Sequence, residues 1–319
     1  MFRIILSVFI GIVAMPLFAQ INMQDSTATL VAYWAKGDKL KYTAESYTYE
    51  IQDNDTICTK NCRELFTIEV TDSTADGYIL KYISSDSEVY YRDSLSNELQ
   101  NWIAKKTEGI PLLLKTNEFG NILDIVNWDE IYNTRSQVLD SIKAITAERL
   151  TKATDGQSGE KIKQLQQVMA AMFNGMSNLL LNKNVAINSM PISRALAFHG
   201  KRYELYELYE DNLKLPSPFD QTPIDVKSEF WFKEYDATSS WAKFAQEMQY
   251  NSDQLVNSFL NVSKIQIPDT EREHIFLYTY FTEYVHTNSG WVDDVLFNTV
   301  SADAKKTKIN GWSLELVTE

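Results

Sequence analysis

Strand-like segments in this chain follow one another through short turns, which argues against a parallel sheet, whose strands need a crossover of a dozen residues or more. The pattern predicts a strand over Lys39–Ile51, a turn at Asp53-Asn54-Asp55, and a second strand running to about Val70. Asp72 to Gly77 turns the chain again, and Tyr78–Ser84 is a third strand. Leu95, Leu99, Trp102 and Ile103 recur at helical spacing, so 94–106 reads as a short helix that Gly109-Ile110-Pro111 ends. Leu112–Thr116 and Ile122–Val126 then read as a hairpin.

The period changes in the middle. Ile131, Val138, Leu139, Ile142 and Ile145 mark a helix over 129–151. Ile162, Leu165, Met169, Met172, Phe173, Met176 and Leu180 mark a second. A third ends at His199, with Gly200 placed for a left-handed cap. Strands return over Tyr203–Leu213, Ile224–Tyr235, Ser240–Tyr250, Ile275–His286, Trp291–Val300 and Lys308–Thr318, with one short helix near Leu255–Leu260.

The expected fold class is α+β: antiparallel β-sheets in two similar β-rich halves, half-barrel or sandwich-like, joined by a helical segment. The expected organisation is a signal peptide over 1–19, a linker over 20–36, an N-terminal β-rich half over 37–127, a helical connector over 128–199, and a C-terminal β-rich half over 200–319. Each half opens on a Gly-led, Tyr-containing strand, Gly37–Tyr42 and Gly200–Tyr203. Each also carries a Gly-x-x-x-Asp hairpin, at Gly120–Asp124 and Gly290–Asp294.

The first residues read as an export signal. Arg3 supplies the charge, Ile4–Met15 is almost wholly apolar, and Leu17-Phe18-Ala19 offers a small residue before Gln20. The apolar run is shorter than the roughly 20 residues a membrane span needs, and no Cys sits at the cleavage site. The expected location is therefore the periplasm, the cell envelope or the medium, with no transmembrane anchor in the mature chain. A net charge of −13 argues against nucleic-acid and anionic-membrane partners, which select Lys/Arg patches. Cys58 and Cys62 are the two cysteines; in an exported chain they read as a disulfide closing a very small loop, with free thiols or redox use as the alternatives.

Catalytic and cofactor patterns are not found. Three histidines occur, His199, His274 and His286, with no metal-ligand spacing, and the reading is no metal and no cofactor. Asp293-Asp294 and Glu271/Glu273 pair acids in sequence, but strand neighbours point to opposite faces. Aromatic residues are the strongest signal, with 17 Tyr, 15 Phe and 7 Trp. Over 275–286, Ile275, Leu277, Phe281 and Val285 line one side, and Phe276, Tyr278, Tyr280 and Tyr284 the other, so both faces expect cover. Tyr278, Tyr280, Tyr284 and Trp291 are the candidate ligand-binding residues, on the strength of aromatic bodies with polar tips.

The Phe18-Ala19-Gln20 ending, Gly37-Asp38-Lys39-Leu40-Lys41-Tyr42, Asp72-Ser73-Thr74-Ala75-Asp76-Gly77-Tyr78 and the Gly-x-x-x-Asp hairpins together resemble uncharacterised exported envelope proteins of Bacteroidota-type bacteria. That resemblance implies an envelope setting and brings no activity or site residues with it. The leading functional reading is a non-enzymatic binding or envelope-interaction protein, its ligand lipid-like or a glycan, its partner otherwise an envelope protein. The alternatives are a carboxylate-dependent hydrolase of envelope polymers, which needs two converging acids, and a purely structural or assembly protein.

Overall fold

The computed structural model describes residues 21–53, 55–154, 173, 176–178, 180–217, 222–263, 276–302 and 306–318. Two short strands, β1 (Ile21–Asn22) and β2 (Thr27–Thr29), precede the long strands β3 (Lys39–Gln52), β4 (Asp55–Thr74) and β5 (Gly77–Tyr91). Helix α1 (Ser94–Thr107) leads to the hairpin β6 (Leu112–Thr116) and β7 (Ile122–Ile125), and then to α2 (Trp128–Thr154). Helices α3 (Lys183–Ser189) and α4 (Pro191–Ala195) run into a 3-10 turn (Leu196–Phe198). After them come β8 (Arg202–Glu204), β9 (Leu208–Pro216), β10 (Pro223–Asp236), β11 (Trp241–Tyr250), helix α5 (Ser252–Ser263), β12 (Phe276–His286), β13 (Val292–Ala302) and β14 (Thr307–Leu316).

Eleven strands form one antiparallel sheet in the order β7-β6-β5-β4-β3-β14-β13-β12-β11-β10-β9. The antiparallel α+β architecture expected from the turns is thus what forms. Neighbours in sequence are neighbours in the sheet, except at the centre, where β3 pairs with β14 from Ile51↔Thr307 to Tyr42↔Leu316. Turn chemistry sets these registers. Asp53, at φ 52°, bends the two-residue connection between Gln52 and its partner Asp55. At Gly77, φ 138° suits only glycine, and a Cβ there would run into the backbone of Thr116 and Asn117.

One face of the sheet carries the core. Tyr42, Phe66, Ile68, Leu80, Leu114, Phe244 and Leu314 are fully buried there, one every second residue along their strands. The long strands β3, β4 and β5 overrun this core. Toward their far ends the same face carries Ser46, Cys62, Ser84 and Ser87 instead of large apolar groups. Helices α1 and α2 cover that overrun and pack on each other through a small core of their own, Leu99, Val138 and Ile142.

Three sequence expectations change. The segment read as a linker is part of the main core: Leu30, Ala32 and Trp34 are buried. It threads through the fold on backbone hydrogen bonds, from the Ala32 N–H to Phe119 O, from the Tyr33 N–H to Ser289 O, and from the Gly200 N–H to Leu30 O. Its irregular backbone finds partners in three separate loops, so it needs no strand periodicity to be held inside. The strand expected over 203–213 breaks at Tyr206, φ 66°, and β8 leaves the large sheet to pair with β2 in a three-stranded sheet, β1-β2-β8. The third is the expected Cys58–Cys62 disulfide: both are free thiols. A bulge leaves Thr59 unpaired, so Cys58 pairs with Tyr49 and Cys62 with Ser46. Those partners stand three apart on β3, so the two thiols face opposite sides of the sheet and cannot approach to disulfide distance.

Candidate functional site

Where α1 and α2 roof the overrun of β3, β4 and β5, the side chains on the sheet are too short to meet the helices. Ser46, Cys62, Ser84 and Ser87 face Ile103 and Ala104 of α1 across a cavity of about 610 Å³. That volume lies in the range of small-molecule sites. The floor is apolar, made by Leu112, Met190 and Trp312, which belong to the main core, as does Ile131 of α2 in the lining.

Charged groups are set into this apolar lining. Arg135, half-buried on α2, holds its guanidinium 5.7 Å above the Trp128 ring and donates from Nη1 to Leu180 O at 3.4 Å. Arg194, exposed on α4, lies 5.7 Å above the Trp312 ring and donates from Nε to Asn188 O at 3.1 Å. Loss of water around the half-buried guanidinium of Arg135, and around the part of the Arg194 side chain that lies against Trp312, lowers the pKa of both. Among the described residues neither has a carboxylate within ion-pair distance. On the sheet wall the Tyr82 hydroxyl donates to Glu64 Oε1 at 2.7 Å. Burial first, then the Glu64 charge, pushes the Tyr82 phenol far up, while Arg135 pulls it back. Arg135, Tyr82 and Glu64 thus form a polar line across the cleft.

The sequence pointed elsewhere. Tyr278, Tyr280 and Tyr284 do share one face of β12, the face turned away from the core, and are half-buried. Tyr284 packs beside Trp241 at 5.4 Å, with the Lys243 ammonium 4.6 Å from its ring. Trp291 is not with them: it is buried in the main core. Of the acids, Asp293 and Asp294 are partly buried and raised by burial. Glu271, Glu273, His274, Met169 and Met172 lie outside the described residues, as does the segment read as an export signal. Met176 packs against the small α1–α2 core. His199 is fully buried, with its Nε2 2.8 Å from Gly290 O, rather than being a surface group at a helix end. No cluster of three His, Cys, Asp or Glu able to hold a metal occurs among the described residues.

Arg135 was the residue to find. It lies four positions after Ile131 and three before Val138, on the apolar stripe of its helix, where a charged side chain has to be facing something other than bulk water.

Searches with protein-family models and against curated proteins found no match. Among solved structures the chain is similar to one titled "Lipid-protein interactions in lipovitellin", at 7% identity and a TM-score of 0.41, over 89% of this chain and 25% of that one. This chain therefore spans about a quarter of that structure's length. A second likeness, to the COG4313 outer membrane channel from Pseudomonas putida F1, has 8% identity and a TM-score of 0.15 over 93% of this chain and 100% of that one. Neither reaches the similarity of chains that share a fold. Among the described residues no helix is long and apolar enough to cross a membrane.

Proposed function

We propose that this protein is an exported, non-enzymatic binding protein that holds a lipid-like ligand between the overrun of β3–β5 and helices α1 and α2. The observation that carries this reading is the cavity of about 610 Å³, which Leu112, Met190, Trp312, Ile131, Ile103 and Ala104 line with apolar groups. Proteins pack their interiors closely, so a space this large between two well-formed cores is the default binding site. Export rests on the N-terminal signal pattern, and the resemblance to envelope proteins of Bacteroidota-type bacteria agrees with it. The acidic balance supports a partner other than nucleic acid. Two similar halves, meeting at the β3–β14 pair, remain our reading of the sheet's origin.

The test is uptake of a fluorescent long-chain fatty acid by the purified protein, compared with Ile103→Trp, which fills the cleft from the α1 side. Saturable uptake that Ile103→Trp abolishes, with the circular dichroism unchanged, is the expected result. No uptake, or uptake indifferent to Ile103→Trp, overturns the reading.

A further inference from the structure

Arg135 poses an energetic problem that the described residues do not solve. A guanidinium carries five N–H donors and a charge that resists neutralisation. Here it is half-buried, and one carbonyl oxygen, 3.4 Å away, accepts from it. Withdrawing a cation from water without a counter-charge is costly, and proteins ordinarily repay it with a carboxylate. None is in place among the described residues. The remaining charges at the wall do not cancel it. Arg63 and Glu45 satisfy each other at 3.8 Å, leaving Lys60, Arg135 and Arg194 against Glu64. The Glu64 carboxylate is engaged by the Tyr82 hydroxyl. Among the described residues, a chain whose net charge is −13 thus keeps a local excess of positive charge at this cleft.

We infer that the cleft is built for an amphipathic anion: an acyl or alkyl chain on the apolar floor, with a carboxylate or phosphate head group bound by Arg135 and assisted by Arg194. This rests on the binding-protein reading above and adds the class of ligand. The planar guanidinium, steadied against the Trp128 ring, offers a pre-oriented fork that matches either oxyanion in bidentate fashion.

The experiment compares lauric acid, dodecyl phosphate and dodecanol by calorimetry on the wild-type chain, with acetate and inorganic phosphate as chain-free anions. The two amphipathic anions are expected to bind at least about tenfold more tightly than dodecanol, the contribution of a charge-assisted hydrogen bond. Arg135→Met removes that preference by weakening the anions alone, and Arg135→Lys retains part of it. Equal affinity for acid and alcohol in the wild type overturns the head-group inference while leaving the cleft reading standing. No binding of any chain-bearing probe overturns both. Acetate or phosphate binding as tightly as lauric acid overturns the amphipathic ligand in favour of a free anion. The wild-type comparison decides the matter even if a variant fails to fold.

Discussion

The indole of Trp34 lies flat against the indole of Trp291, ring centroids 4.1 Å apart and planes 14° from parallel. The pair fastens an irregular N-terminal segment to the β12–β13 hairpin, deep in the main core. Tyr78, 5.1 Å from Trp34, adds its hydroxyl to Ala32 O. Offset aromatic pairs contribute about 0.5–1.5 kcal/mol beyond their buried area. Trp34→Ala should cost about 3–5 kcal/mol in urea unfolding. A double-mutant cycle with Trp291→Ala should show a coupling of about 1 kcal/mol. Additive losses would mean that the stacking itself contributes nothing.

Glu283 makes stability depend on pH in a direction unusual for a carboxylate. It is fully buried on the core face of β12, and neither oxygen has a hydrogen-bond partner among the described residues. Burial alone pushes its pKa well above the ordinary 4.5. The folded protein therefore holds a proton that the unfolded chain releases, and stability falls as pH rises above about 4.5 toward the folded value. Glu283→Gln should remove this slope and be more stable than wild type at pH 7, by about 1 kcal/mol or more. Parallel stability curves for the two proteins over that range would refute the assignment.

His199 tilts the other way. Burial lowers its pKa from 6.5 to about 4, against the smaller opposing effects of the Gly290 and Leu196 carbonyls. The neutral ring is the one the fold accepts, so the contribution of His199 to stability is complete above pH 6.5 and drains away as pH falls toward about 4. Full protonation should cost on the order of 3 kcal/mol. His199→Gln, which keeps a donor for Gly290 O, should flatten that limb of the curve. Urea midpoints measured from pH 7 to pH 4 check it.

The cysteines yield a simple covalent prediction. Because the bulge at Thr59 turns Cys58 and Cys62 to opposite faces, mild oxidation should give no loss of two mass units in the monomer. Both thiols should react with a thiol reagent once the protein is unfolded, and intact mass spectrometry decides between the two states. A bridged monomer would mean that this part of β4 is paired differently.

Most of the architecture was legible because turn chemistry is local. Asp53, Gly77 and Pro111 announce their own conformations, and the strands between them have no alternative but to pair in order. What was not legible depends on contacts distant in sequence. Leu30, Ala32 and Trp34 occupy a stretch too short to show any period, so nothing in it betrays that Phe119, Ser289 and Gly200 bond its backbone. The departure of β8 turns on one residue, Tyr206, adopting a left-handed conformation that its side chain does not advertise. The cavity was hidden for a different reason. Ser46, Ser84 and Ser87 look like ordinary strand residues, and only the roof of α1 and α2 above them makes their smallness consequential. The prominent tyrosines of β12, by contrast, draw attention by number and not by position.

The pairing of β3 with β14 has an effect on how the protein comes into being. Thr48 and Asn310, whose side chains bond at 3.0 Å, are 262 positions apart. Until β14 is in place, β3 presents an unsatisfied edge of 14 residues to whatever surrounds it, and β13 a second one. The two blocks are joined only by contacts between residues this distant in sequence, so completion of this sheet is slow by construction. Deleting Thr307–Leu316 should therefore yield aggregation rather than a slightly weakened monomer.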